Sequence, residues 1–269
     1  MRQSITCAFL SHYVWLPSYY SIWGDASVKV FCISDLHGEW DLYIKAIEVM
    51  EAIANDEDWH CYCLGDVVDR GEEGYKILCN ILFDTRFTLL RGNHEELFLD
   101  TLEHFSEWDE DQKRFLLKEL QEHPNDAMSW AFPLYAVNGG TPTFMAWLRN
   151  PRAIQGLWKK LRELPLRASY NQYDMCHSGC SIEEWDNPIL NSNDVVWNRN
   201  HFDKPWKPNR ILVFGHTPVI TNPDDPTSYK VWHNPDGTIS KINIDAGAHW
   251  TKRLALLELA ATPIPHIIT

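Results

Sequence analysis

Residues 28–38 read VKVFCISDLHG, and this stretch decides the fold. From Val28 to Ile33, β-branched and aromatic residues dominate without a helical period, so the run reads as a buried strand. It stops in DLHG, a polar cluster closed by a glycine. The period then changes: Tyr43, Ile47, Met50 and Ala54 recur at helical spacing, which predicts a helix lying against a sheet. The unit recurs twice downstream. HCYCLG (60–65) runs into GDVVDRG (65–71) and the helical EEGYKILCNILF (72–83), and FTLLRG (87–92) runs into GNHEE (92–96) and the helical HEELFLDTLEHF (94–105). Strand and helix alternate as in a parallel α/β sheet.

Beyond this, residues of about 107–166 are acidic, Trp-rich and helix-like, as in DEDQKRFLLKELQ and IQGLWKKLREL, and read as a helical cap. Strand signals return at YDMCHSG (173–179), RILVFGH (210–216), KINIDAG (241–247) and LALLELA (254–260), predicting a second sheet half that closes one domain over 28–269. The first 27 residues differ from the rest. Their apolar run is broken by Ser11, His12 and Pro17, too short for the roughly 20 apolar residues of a membrane span. They read as an appendage whose removal leaves activity intact.

A chain of 269 residues, 45% hydrophobic, supports one substantial core. The net charge of −13 argues against coating nucleic acid or an anionic membrane, so a bound phosphate must meet locally placed cations. The odd count of 7 cysteines fits a reducing compartment, hence a cytoplasmic protein. Cys61 and Cys63 fall on one face of a strand, and Cys176 and Cys180 read as core thiols rather than a zinc site.

Three early strands end in DLHG, GDVVDRG and GNHEE, and two later ones in CHSG and FGHTP. In open α/β sheets, loops beyond the carboxyl ends of strands converge on one crevice, so these clusters should meet. Their residue types suit two adjacent divalent ions. A carboxylate can bridge two ions, whereas an imidazole or amide oxygen occupies one position on one ion. Asp66 is the expected bridge. Asp35 and His37 would complete one ion with it, and Asn93, His177 and His216 the other, leaving positions open for water and substrate.

SDLHGEW, GDVVDRG, LLRGNHE, CHSG and FGHTP, in this order and followed by VVWNR and NIDAGA, resemble the motifs of calcineurin-like metallophosphoesterases, in particular the bacterial and bacteriophage lambda-type serine/threonine protein phosphatases. The resemblance spans about Val28 to Ala260. It implies a two-sheet αββα-type sandwich with a helical cap insertion. It also implies a metal-dependent phosphomonoester hydrolase that uses a metal-bridging hydroxide, with manganese preferred and iron or zinc suitable. By the same resemblance His94 is the general acid, Asp69 its partner, and Arg70, Arg91 and Arg199 the phosphate clamp.

The substrate then expected is a phosphorylated protein or peptide, with serine/threonine against dual specificity left open. Symmetrical diadenosine tetraphosphate hydrolysis is the enzymatic alternative. Asp69 speaks against it, because the dinucleotide hydrolases similar to this chain usually carry a small residue there. A noncatalytic phosphoprotein-binding scaffold is the lower-ranked reading. No regulatory subunit is inferable: CHSG replaces the histidine-alanine-glycine pattern of eukaryotic relatives, and no counterpart of their long C-terminal extension is found.

Overall fold

The computed structural model describes residues 28–152, 154, 156–220 and 228–269; the expected appendage, residues 1–27, lies outside the described residues. The strand–helix alternation read from the sequence is built as β1 (Lys29–Ile33), α1 (Trp40–Ala54), β2 (Trp59–Cys63), α2 (Gly74–Phe83), β3 (Phe87–Leu89) and α3 (Asn93–Glu107). β1, β2 and β3 pair in parallel, with Phe31 opposite Cys61 and Cys61 opposite Phe87. Five helices follow: α4 (Glu110–Glu122), α5 (Pro124–Ala131), α6 (Pro133–Val137), α7 (Thr141–Arg149) and α8 (Leu157–Arg162). No strand interrupts them among the described residues.

The chain then builds β4 (Arg167–Tyr170), β5 (Tyr173–Cys176), α9 (Ile182–Asp186), α10 (Asn193–Val196), β6 (Ile211–Phe214), β7 (Lys230–His233) and β8 (Ile239–Asn243), and ends with α11 (Ala248–Thr251), β9 (Leu254–Glu258) and β10 (Ile264–Ile268). Two mixed sheets result, ordered β10-β9-β1-β2-β3 and β4-β5-β6-β8-β7. LALLELA therefore joins the first sheet, antiparallel to β1, and not the second half as its position in the chain suggested.

Side-chain alternation sorts the layers. Val30, Cys32, Tyr62 and Leu64 point between the sheets and meet Tyr173, Met175, Val213 and Ile242. Phe31, Ile33, Cys61 and Cys63 point the other way and pack on Tyr43, Ala46, Met50, Ile77 and Leu78 of the covering helices. The far face of the second sheet, with Cys176, Leu212 and Phe214, is covered by Trp185, Val195 and Trp206. The order is helix, sheet, sheet, helix, and each fully buried Leu or Ile in it contributes about 1.5–3 kcal/mol. The six cysteines among the described residues are free thiols, five of them buried. No helix among the described residues is long and apolar enough to cross a membrane.

Candidate metal centre

The carboxyl ends of β1, β2, β3, β5 and β6 deliver Asp35, His37, Asp66, Asn93, His177 and His216 to one buried place, each no more than 8% exposed. The first loops are tied backbone to backbone. Asp35 N–H donates to Gly65 O (3.1 Å), His37 N–H to Asp66 O (2.9 Å) and Gly71 N–H to His37 O (3.0 Å). That closeness excludes side chains: a Cβ on Gly65, whose φ is +103°, would strike the backbone of Gly92, and one on Gly215 would strike the Asp35 carboxylate. Left-handed backbone is also imposed on Asp35 (φ 54°), His37 (44°), Asp66 (56°), Asp69 (68°), Arg70 (64°) and His216 (68°). Each such non-glycine residue costs about 1–3 kcal/mol, strain that persists where surrounding structure over-determines it.

Second partners aim the imidazoles. His37 Nδ1 donates to Val68 O (3.1 Å) and His177 Nδ1 to Leu64 O (2.9 Å), so the Nε2 atoms face inward, 3.6 and 3.4 Å from Asp66 Oδ2. Asn93 Oδ1 lies 2.9 Å from His177 Nε2 and 2.8 Å from His216 Nδ1. Two ligands about 2.1 Å from one ion at a tetrahedral angle are themselves about 3.4 Å apart, so the imidazole–carboxylate spacing suits a shared cation. Two groups of ligand atoms, each within 4.8 Å, meet these terms: His37, Asp66 and His94, and Asp66, His177 and His216. Asp66 belongs to both, the position expected of a bridge. Asp35 stands beside them rather than in either group; its oxygens accept His216 N–H (3.0 and 3.2 Å) and the Ser34 hydroxyl.

The electrostatics also call for cations. Burial, reinforced by Asp66, pushes Asp35 up, and burial reinforced by Asp35 pushes up a third carboxyl, Asp245. At Asp66 burial acts the same way but is outweighed by His177 and His94, which hold it well below the carboxylate range. In return Asp66 overcomes the burial of His177 and lifts it to about 10. His216, by burial and by the charge of His177, is pushed down to about 2. Burial, reinforced by His94, also pushes His37 well down, so oxygen and nitrogen donors crowded around a charged carboxylate, with the His37 and His216 imidazoles held neutral, form a set that could hold divalent metal.

Beside this set His94 Nδ1 donates to Asp69 Oδ2 (2.8 Å), with both side chains no more than 1% exposed. Burial disfavours the charged His94 ring, but Asp66 and Asp69 outweigh it and raise its pKa. Arg70 Nη2 lies 3.2 Å from His94 Nε2, and its guanidinium carbon 4.6 Å from the ring centroid of Trp250. Arg91 takes a different direction, donating through Nη2 to Arg162 O in the cap, while its buried Nε has no partner among the described residues. Arg199 is exposed and acts electrostatically on His216.

Three residues went unread in the sequence. Glu95 is fully buried and accepts the N–H groups of Asp66 (2.7 Å), Val67 (2.9 Å) and Gly92 (2.9 Å); burial, reinforced by Asp66, raises it to about 7. A buried glutamate at the third position of a helix that opens GNHEE was the available signal, since such a residue reaches back to backbone N–H groups. Asp245 sits in NIDAGA and accepts Gly247 N–H (2.8 Å). Tyr135 of α6 donates its hydroxyl to Asp69 Oδ1 (2.7 Å), and nothing in the cap's periodicity marks it.

Among the solved structures similar in fold are the following two. One is of a candidate diadenosine tetraphosphatase, with TM-score 0.51 and 14% identity over 90% of this chain and 95% of that one. The other is a cold-active protein tyrosine phosphatase, with TM-score 0.50 and 17% identity over 89% of this chain and 80% of that one. Residues 28–246, which include Asp35, His37, Asp66, Asn93, His94, His177 and His216, match the sequence profile of calcineurin-like phosphoesterases. The chain belongs to the calcineurin-like phosphoesterase family.

Proposed function

We propose that this phosphoesterase hydrolyses phosphomonoesters on phosphorylated proteins, as a serine/threonine phosphatase whose action on phosphotyrosine is a matter for assay. The observation that carries the reading is the buried His94–Asp69 pair set beside Arg70 at the edge of the donor cluster. In this reading Asp35, His37 and Asp66 hold one divalent ion and Asp66, Asn93, His177 and His216 a second, with manganese the preferred metal. Bound ions supply positive charge for the phosphoryl oxygens and make water more acidic.

The chain's own groups do the rest. Arg70 engages phosphate oxygens, because a planar guanidinium can meet two of them at once; Arg199 approaches from the open side. Arg91 can join only by leaving the Arg162 carbonyl. With Arg70 drawn from His94 Nε2 to the phosphate, His94, its Nδ1–H held by Asp69, can carry the Nε2 proton and give it to the departing oxygen. A leaving serine or threonine alkoxide needs that proton, and a pair this well buried suits such a leaving group. The free thiols favour a reducing, cytoplasmic setting.

Parallel assay of the manganese-loaded protein on phosphoserine peptide, phosphotyrosine peptide and diadenosine tetraphosphate tests the proposal. Chelator-sensitive turnover with the highest kcat/KM on phosphoserine peptide is expected. Preference for the dinucleotide would move the assignment to symmetrical dinucleotide hydrolysis, and no turnover of any phosphoester would leave a binding scaffold.

A further inference from the structure

The cap grips the loop that carries Asp69 and Arg70 at three points. Asp69 N–H donates to Thr143 Oγ1 (2.8 Å), Arg70 N–H donates to Gly139 O (2.9 Å), and the Tyr135 hydroxyl donates to Asp69 Oδ1 (2.7 Å). Two of these are backbone anchors that any loop could use. The third ends on the carboxylate that holds His94. Tyr135 is 2% exposed, its ring stacks on Phe98 of α3 with centroids 5.9 Å apart, and a Cβ on Gly140 would collide with it. The phenol therefore has one orientation available.

We propose that Tyr135 is a positioning residue for proton donation: its hydroxyl occupies Asp69 Oδ1, leaves Oδ2 for His94 Nδ1–H, and so fixes the imidazole with Nε2 toward the leaving oxygen. The inference rests on the reading of His94 as the general acid. A carboxylate bonded by one donor can turn and is a stronger base; a second donor removes both freedoms and keeps the Nδ1 proton on the ring. Burial and the Asp69 charge hold the phenol well above its ordinary pKa, so it stays a donor. Over a turnover the ester P–O bond breaks and the leaving oxygen takes the Nε2 proton. Water supplies the oxygen that bonds to phosphorus, and a proton from it restores His94. Tyr135 keeps its own proton throughout.

A leaving alkoxide depends on this proton far more than nitrophenolate does, and that difference provides the test. In Tyr135→Phe, kcat on a phosphoserine peptide should fall about tenfold and kcat on p-nitrophenyl phosphate by no more than about twofold, with KM and bound metal unchanged. Thr143→Val removes an anchor of the same loop and, because the Thr143 hydroxyl also reaches the Tyr135 phenol, should shift the alkyl-to-aryl ratio in the same direction by less than Tyr135→Phe does. In a His94→Asn background the Tyr135→Phe change should no longer alter the alkyl-to-aryl ratio. Equal losses on both substrates, or no loss, overturn the proposal. Should Tyr135→Phe lose its cooperative thermal transition, 3-fluorotyrosine installed at position 135 keeps ring and hydroxyl with a more acidic phenol; an unchanged ratio there also overturns it. If His94→Asn itself shows no leaving-group selectivity, the general-acid reading fails. If it does and Tyr135→Phe does not, this inference alone fails.

Discussion

The two sheets support the site unequally. On the first-sheet side the loops after β1, β2 and β3 are cross-tied through their backbones, Glu95 collects three N–H groups beneath them, and cap residues clamp Asp69 and Arg70. On the second-sheet side His177 and His216 are also buried, and Gly215 N–H donates to His177 O (2.7 Å), but the neighbouring arginine, Arg199, is exposed on the long connection 197–210 between α10 and β6. Strained backbone follows the same division: of the site's six left-handed non-glycine residues, Asp35, His37, Asp66, Asp69 and Arg70 belong to the first-sheet loops and His216 to the second. Rigid, over-determined loops suit groups that must meet a reacting atom, and the looser rim suits groups that meet a variable substrate. One side should control turnover and the other affinity.

The largest effect should come from the residue common to both halves. Asp66→Asn removes the charge that draws both sets of donors together; activity should fall by more than about 10⁴-fold, with bound metal, read by elemental analysis, reduced at both positions. Retention of two ions per chain in that variant would dissolve the division into halves. His94→Asn comes next, with kcat lower by about 10²–10⁴-fold and metal content intact. The arginines then sharpen the comparison directly. Arg70→Ala should lower kcat by about 10²-fold, whereas Arg199→Ala should raise KM by about tenfold or less and leave kcat nearly unchanged. The reverse split in steady-state kinetics would place the chemistry on the open side.

Much of this was legible in the chain because a strand that ends in a polar cluster announces both its own end and its crevice. The run from Val28 to His37 carried strand, turn and two donors together. Three of the four edge strands were not legible: β4 and β7 are half-exposed without clean alternation, and β10 holds Pro265, a residue that strand reading demotes. Nor were the contacts that depend on distant partners. Glu95 serves N–H groups 28 and 29 residues away, and Tyr135 a carboxylate 66 residues away, so neither leaves a local pattern. The left-handed conformations of Asp35 and Asp66 are equally invisible, since the closeness of neighbouring loops imposes them and not the residue type.

The smallest expected effect concerns what holds the second-sheet side. His201, without a motif around it in the sequence, is fully buried; its Nε2 donates to Ser178 O (2.8 Å) in the turn after His177, and its ring fills the space that a Cβ on Gly179 would need. Its Nδ1 has no partner among the described residues, so protonating the ring would bury an uncompensated charge, and burial pushes its pKa down to about 4 from 6.5. Between those values the unfolded chain binds the proton and the folded chain does not. Stability from this ring is therefore complete above about pH 6.5 and declines as pH falls toward 4, by up to about 3 kcal/mol. His201→Gln keeps a side-chain donor for Ser178 O and cannot titrate. Urea unfolding at pH 7, 5.5 and 4.5 should show the wild type losing more stability than the variant across that range, the carboxylates and other histidines being common to both. Parallel losses would mean that the ring is already charged in the fold, and that the turn bearing His177 is held by something other than a neutral imidazole.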